Sequence, residues 1–274
     1  MLYLSLVHGF CNTRDELAAN RSSIPGGMKG VILAGGKGTR LYPLTRITNK
    51  HLLPISDRPM VMYAIEALVR AGVSDVMLVT GGTHAGEFFR LLGNGQACGV
   101  ERLFYAYQES EGGIAEALGL AERFVGDDPV IVMLADNVLE RSIGFALENF
   151  RAQGEGARIL LSREQNVEHL RHLGVAELNG DGRVVRIVEK PEQPPSEYAV
   201  TGVYLYDASV FGIIPTLEPS GRGELEITDV NNWYVGQGTM QYDVLEGFWG
   251  DAGESIDAYY AVNDYVRQHG ANRQ

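Results

Sequence analysis

The chain has 274 residues, of which 45% are apolar and 21% charged, with 34 glycines and 10 prolines. That length suits one large α/β unit, and the composition excludes collagen-like, low-complexity and mostly disordered chains. Lys plus Arg number 23 against 35 for Asp plus Glu, a net charge of −12, so nucleic acid and anionic membranes are poor partners, whereas a small phosphorylated ligand held by local cations and backbone amides remains allowed.

Cys11 and Cys98 are too few for a disulfide scaffold and lack metal-site spacing, which points to a reducing, cytoplasmic setting. The start, MLYLSLVHGF, has no basic n-region and is too short to span a bilayer. Residues 1–27 end in RSSIPGG and read as a disordered or appended N-terminal segment, leaving 28–274 as a single domain.

From there, apolar runs alternate with helical patterns, the mark of parallel βαβ units. GVILA (30–34) reads as a buried strand, 59–71 as a helix with Pro at its start and Gly72 at its end, and DVMLVT (75–80) as the next strand. A helix near 84–92, a strand at 101–107, a helix at 114–124 and the strand 129–135 follow, the last apolar enough to be covered on both faces. The second half reads as a helix at 142–153, strands near 158–163, 174–178, 184–189 and 200–206, a helix at 227–237, a strand at 240–246 and a C-terminal helix from 256. FGIIPTL (211–217) and IDAYYAVNDYV (256–266) have the spacing of core or subunit contacts. Open sheets of this kind bind ligands beyond the carboxyl ends of their strands, so the loops after Ala34, Tyr107 and Ala135 are the places to search for chemistry.

The first loop, LAGGKGTRL (33–41), has three glycines in four residues and two cations, Lys37 and Arg40. Such a loop lets backbone N–H groups face a phosphate. It is neither a dinucleotide fingerprint, since Leu41 stands where a glycine is needed, nor a Walker A loop, since Val31 stands at the first glycine position. Lys50 adds a third cation shortly before the apolar HLLPI (51–55). Taken singly, each has a bland reading: a glycine turn, a solvated lysine, an aspartate capping a strand end.

Together, the glycine loop, Arg40 and Lys50 resemble the signature of the sugar-1-phosphate nucleotidyltransferases, most closely their glucose-1-phosphate thymidylyltransferase branch. The likeness continues through QESEGGIAEAL (108–118), LADN (134–137), VEKP (188–191), YAVTGVYLYD (198–207), GELEITDVN (223–231) and FWGDAGE (248–254). It implies a Rossmann-like, mostly parallel mixed sheet flanked by helices, and transfer of a nucleotidyl group from dTTP to glucose 1-phosphate, giving dTDP-glucose and pyrophosphate with Mg2+ assisting. UTP or another sugar 1-phosphate is the alternative, and a silent nucleotide-sugar-binding protein the third reading. A homodimer or homotetramer is implied as well.

Carried over position by position, the resemblance makes Arg40, Lys50 and Lys190 the catalytic cations and gives the two metal carboxylates as Asp136 and Asp251. Leu33, Gly35, Gly36, Lys37, Gly38, Thr39, Gln108 and Gly113 match the nucleotide site, where the Gln108 amide offers a donor and an acceptor to a pyrimidine edge. Asn137, Gly174, Glu189, Val200 and Thr228 match the hexose site. The chemistry needs such a set because two anions must meet in line at the α-phosphorus while pyrophosphate leaves. No protein base is required, since a phosphate monoester with a second pKa near ~6 is already largely a dianion. Departures from the family pattern are Ala135, expected to narrow the space beside the metal, Gly250 and Ala252, Leu173 in place of an aromatic, Glu116 in place of a frequent Gln, and His51 after Lys50. The six histidines form no zinc set. The chain also stops short of the C-terminal segment found in longer members, which leaves their regulatory nucleotide site without a counterpart in this reading.

Overall fold

The computed structural model describes residues 27–274. The segment expected to be appended at 1–27 therefore lies outside the described residues, save for Gly27. In chain order the elements are β1 (Lys29–Ala34), β2 (Pro54–Ile55), β3 (Arg58–Pro59), α1 (Val61–Arg70), β4 (Asp75–Gly81), α2 (Ala85–Leu92), β5 (Arg102–Gln108), α3 (Ile114–Gly119), α4 (Glu122–Val125), β6 (Val130–Leu134) and β7 (Asn137–Leu139). They continue as α5 (Gly144–Gln153), β8 (Ala157–Arg163), α6 (Val167–Leu170), β9 (Gly174–Leu178), β10 (Val184–Glu189), β11 (Tyr198–Tyr206), α7 (Val210–Ile213), α8 (Ile227–Gly236), β12 (Met240–Val244), β13 (Trp249–Asp251) and α9 (Ile256–His269).

Nine strands form one mixed sheet in the order β10-β9-β11-β6-β1-β4-β5, with β8 paired to β11 and to β12. β6, β1, β4 and β5 are mutually parallel, whereas β11 joins β6, β8 and β9 in antiparallel register. The two halves meet at β6, whose apolar run is buried on both faces as expected. Alternation along β1 assigns its side chains to two layers: Val31 and Leu33 pack with α3, α7 and α8, and Ile32 and Ala34 pack with α1, α2 and α5. Val61, Ala64, Ile65 and Leu68 supply the matching stripe on α1, at the spacing of successive helical turns.

A third apolar cluster sits under the strand ends. It gathers Leu41, Leu53 and Met60 from the loops, Ile55 of β2 and Tyr63 of α1 with Val138 of β7 and Tyr259, Val262 and Val266 of α9. α9 begins sharply because the Ser255 hydroxyl accepts from Ala258 N at 3.0 Å, with Asp257 in its first turn and Arg267 and His269 in its last. The C-terminal helix thus anchors the loops that follow β1.

Several boundaries differ from the sequence reading. Pro59 does not open α1 but pairs with Pro54 in a two-residue ribbon, and the helix starts at Val61. The expected helix at 114–124 is two, α3 and α4, because after Gly119 the chain tightens and Ala121 N bonds Leu118 O at 2.9 Å. FGIIPTL contributes Phe211, Ile213 and Ile214 to the core. β2, β3, β7 and β13 are two or three residues long, too short to show a period in sequence.

α6 is tied to the loop after β13 by His169, whose Nε2 lies 2.8 Å from Glu254 Oε2 and whose Nδ1 lies 2.5 Å from Glu164 Oε2. The Glu254 hydrogen bond raises the imidazole to about 9 against partial burial, with Glu164 adding to the rise. The folded value lies above the ordinary 6.5, so the stabilisation is complete below pH 6.5 and is lost as pH rises through about 9. The urea midpoint of the wild type should therefore fall across that interval more than that of His169→Gln; equal falls would show that the clasp contributes no pH dependence.

Candidate active site

The loop after β1 runs through Gly35–Gly38 into a 3₁₀ turn, Thr39–Leu41, that carries Arg40. Thr45 closes this loop by donating its hydroxyl to the Gly38 carbonyl at 2.9 Å. A second 3₁₀ turn, Lys50–Leu52, is capped by Asn49, whose Oδ1 accepts from His51 N at 2.9 Å. It packs the Lys50 stem against Gly38 so closely that a Cβ on Gly38 would lie 3.1 Å from Lys50 Cβ. Lys50 is thereby threaded beneath the glycine loop toward the end of β6.

Asp136 follows β6, and Asp251 ends β13. They meet because β7 and β13 form an antiparallel ribbon in which Asn137 pairs with Asp251, extended by a bond from Ala252 N to Asp136 O at 2.9 Å. The Lys50 ammonium bonds Asp136 Oδ2 directly. Burial alone would lower the Lys50 pKa, but the charges of Asp136 and Asp251 outweigh it and raise it. Burial likewise works to raise Asp136, and Lys50 and the His51 ring overcome it, holding the carboxyl well below the usual range. Lys50 and Arg40 act on Asp251 as well, but too weakly to offset its surroundings. Burial and the neighbouring Asp136 charge push it up to about 7, and its side chain accepts one hydrogen bond, from Gly253 N at 2.8 Å.

Two adjacent carboxylates with one lysine between them leave a negative charge that a divalent cation would balance, and oxygen ligands completed by water and phosphate suit Mg2+. Asp136 and Asp251 therefore fit the metal expected from the sequence. No group of three or more His, Cys, Asp or Glu side chains among the described residues forms a protein-only cage.

On the opposite wall, Gly174 of β9 pairs with Glu189 of β10, and Glu189 Oε2 accepts from Thr228 Oγ1 of α8 at 2.9 Å. Lys190 follows with a left-handed backbone at φ 46, an uncommon state for a side-chain-bearing residue, held in part by its N–H bond to Leu173 O at 2.9 Å. The β11 register shifts between Val200 and Tyr204, and in that irregular stretch Gly202 N turns to Asn137 Oδ1 at 2.8 Å. Trp249 Nε1 donates to the same oxygen at 2.6 Å, and Asn137 Nδ2 reaches Asp136 Oδ1 at 3.3 Å. Asn137 therefore steadies the Asp136 carboxylate from within the wall.

Every site residue singled out from sequence lines one cleft of about 570 Å³: Leu33, Gly35, Gly36, Lys37, Gly38, Thr39, Arg40, Lys50, Gln108, Gly113, Asp136, Asn137, Gly174, Glu189, Lys190, Val200, Thr228 and Asp251. At its rim Lys37 pairs with Glu111 at 2.8 Å. Gly113 permits the close approach of two segments, since its φ is +97 and a Cβ there would fall 2.5 Å from Leu225 O. Gln108, expected to present both a donor and an acceptor, spends its Nε2 on Glu116 Oε1 and Gly113 O, which leaves only Oε1 open.

Ala135 does not narrow the cleft. It is buried in the core layer beside β1, and its N–H bonds Leu33 O at 3.0 Å. Leu173, in place of an aromatic, lines the cleft while packing with Leu170, Val175 and Ala199. Sequence reasoning gave no site role to Trp249, Arg222 or Tyr204, which also line the cleft, as does His51, noted there only as a departure. Arg222 brings a further cation beside Glu189, 4.0 Å away, and Glu226, 2.9 Å away. The available signals were position alone: Trp249 lies inside FWGDAGE and Arg222 directly before GELEITDVN. His51 is buried with Nδ1 2.9 Å from Asn49 Oδ1 and Nε2 3.8 Å from Asp136 Oδ2, and burial lowers its pKa.

The profile of the Nucleotidyl transferase family matches residues 29–269. A glucose-1-phosphate thymidylyltransferase of Neisseria meningitidis serogroup A is 42% identical over 239 residues, covering 86% of this chain and 82% of that protein. A Bacillus anthracis chain assigned as a glucose-1-phosphate thymidylyltransferase, crystallised with sucrose, superposes with a TM-score of 0.83 at 46% identity, over 88% of this chain and 96% of the other. The apo structure of a UDP-glucose pyrophosphorylase shares the fold at 23% identity and a TM-score of 0.75, over 88% and 98% of the two chains. With the glycine loop, the paired carboxylates and the cations of both walls in a single cleft, the chain belongs to the nucleotidyl transferase family.

Proposed function

We propose that this protein transfers a thymidylyl group from dTTP to glucose 1-phosphate, releasing pyrophosphate and dTDP-glucose. The observation that carries the reading is the Lys50–Asp136–Asp251 cluster, set between a glycine-loop wall and a wall built from β9, β10, β11 and α8. The glycine loop and Arg40 cradle the triphosphate, and Gln108 and Gly113 receive the base. Gly174, Glu189, Val200, Thr228 and the Asn137 Nδ2 group line the hexose subsite, with Lys190 gripping the sugar phosphate. Asp136 and Asp251 would hold Mg2+, which when bound would supply positive charge against the phosphate oxygens and the departing pyrophosphate.

In this account the chain's own residues act by position and charge. Lys50 lies beside the carboxylates, where an ammonium stabilises charge developing at the α-phosphoryl group. Lys190 and Arg222 draw the sugar phosphate toward it, so two anions that repel in water are held for in-line attack. The names and identities of the relatives support the thymidylyl and glucosyl assignments. Mg2+ and a homodimeric or homotetrameric assembly rest on the family resemblance, and a cytoplasmic setting on the low cysteine count. No helix among the described residues is long and apolar enough to cross a membrane.

Pyrophosphate release, measured with Mg2+ across dTTP, UTP, CTP, ATP and GTP against glucose, galactose and N-acetylglucosamine 1-phosphates, should peak at dTTP with glucose 1-phosphate. A peak at another pair would reassign the substrates, and silence throughout would sink the catalytic reading. Asp136→Asn and Asp251→Asn should each remove metal-dependent turnover while the circular dichroism spectrum is kept; full activity in either variant would end the metal assignment. We further propose that residues 28–274 are the catalytic unit, since the family match begins at residue 29. A chain starting at Met28 should then match the full-length turnover, and a soluble but inactive product would refute that division.

A further inference from the structure

Gln108 closes β5, is buried, and lines the cleft. Its Nε2 donates to Glu116 Oε1 at 3.0 Å and to the Gly113 carbonyl at 3.3 Å, which uses both amide protons. Its Oε1 faces Gly35, where an added Cβ would come within 3.0 Å of it, and accepts no hydrogen bond among the described residues. An amide can turn over about its last torsion and exchange oxygen for nitrogen at almost unchanged shape. Here the neighbours decide which way it lies. A carboxylate only accepts, so Glu116 welcomes Nε2 and repels Oε1.

Glu116 is itself held in place. Its Oε1 also accepts from Ser110 Oγ at 2.8 Å, and its carboxylate rests against Gly112, where any Cβ would overlap it. A glutamine at 116 could meet Gln108 in either orientation by turning its own amide, which would leave only the longer 3.3 Å contact with the acceptor-only Gly113 carbonyl to favour one; the glutamate adds a second, charged acceptor at 3.0 Å that favours the same one.

We propose that Glu116 is a positioning residue for base selection. It locks the Gln108 amide with Oε1 toward the ligand, so the cleft takes a pyrimidine bearing a proton on N3, as thymine and uracil do, and rejects cytosine, whose N3 is an acceptor. The inference rests on Gln108 marking the base subsite in the function proposed above.

The test is steady-state kinetics of the full chain with dTTP, dUTP and dCTP, each against glucose 1-phosphate. The wild type is compared with Glu116→Gln and with Gly112→Ala, whose new methyl displaces the Glu116 carboxylate from a backbone that is not left-handed. In both variants the dTTP-to-dCTP ratio of kcat/KM should fall about tenfold, the weight of one oriented hydrogen bond. The change should enter through KM, and the dTTP-to-dUTP ratio should hold, because both bases carry the N3 proton. Equal losses with all three nucleotides, or an unchanged dTTP-to-dCTP ratio in both folded variants, would overturn the positioning role and leave the base subsite standing. A wild type that fails to prefer dTTP over dCTP would overturn the base subsite and the inference with it.

Discussion

The part-buried ion pair between Lys50 and Asp136 is the constraint around which the cleft is built. Breaking a fully buried pair costs about 3–5 kcal/mol in general, and the cleft's water reduces that cost here. The fold therefore has to deliver both together, from segments far apart in sequence. The 3₁₀ turn capped by Asn49 fixes Lys50, the end of β6 fixes Asp136, and the β7–β13 ribbon brings Asp251 alongside. The apolar cluster of Leu41, Tyr63, Val138 and the α9 side chains locks these three loops to one another. Lys50 and Arg40 only partly offset the burial of Asp251 and the Asp136 charge beside it, so the two carboxylates keep excess negative charge that a cation entering the cleft would balance.

The two walls beside this cluster are made differently. The glycine-loop wall belongs to the parallel half of the sheet, where β1, β4 and β5 all end on the same side and the loops after β1 and β5 line the cleft. The opposite wall comes from antiparallel strands and from the irregular stretch of β11 that turns Gly202 N toward Asn137. In the proposed function, the parallel strand ends present backbone donors to phosphate, and the antiparallel wall presents polar side chains such as the hydrogen-bonded pair Glu189 and Thr228 to hydroxyls. One cleft can then hold two chemically unlike substrates.

Most of this was legible in the sequence where the signal was either periodic or a motif. β1, β4, β6 and α1 announced themselves by apolar runs or helical spacing, and the strand ends marked the glycine loop and Asp136. The approach of Asp251 to Asp136 was not readable from spacing, because it depends on a ribbon of two three-residue strands separated by the whole second half of the chain. Nor was the orientation of Gln108, which is set by two acceptors across a turn, Glu116 Oε1 and the Gly113 carbonyl. Arg222 and Trp249 were missed for a related reason: each stands at the edge or inside of a quoted motif, and only the folded walls turn them into the cleft. The effect of Ala135 was misjudged because sequence shows adjacency to Asp136 but not that successive residues at a strand end face opposite ways.

In the proposed function the sugar phosphate attacks the nucleotide directly, with both held at once beside Lys50, Asp136 and Asp251, and the stereochemical course at phosphorus reports on that step. With dTTP carrying a chiral phosphorothioate at the α position, 31P NMR of the nucleotide-sugar product should show inversion of configuration, the outcome of a single in-line displacement. Retention would require two successive displacements through a covalent nucleotidyl-enzyme and would contradict the account.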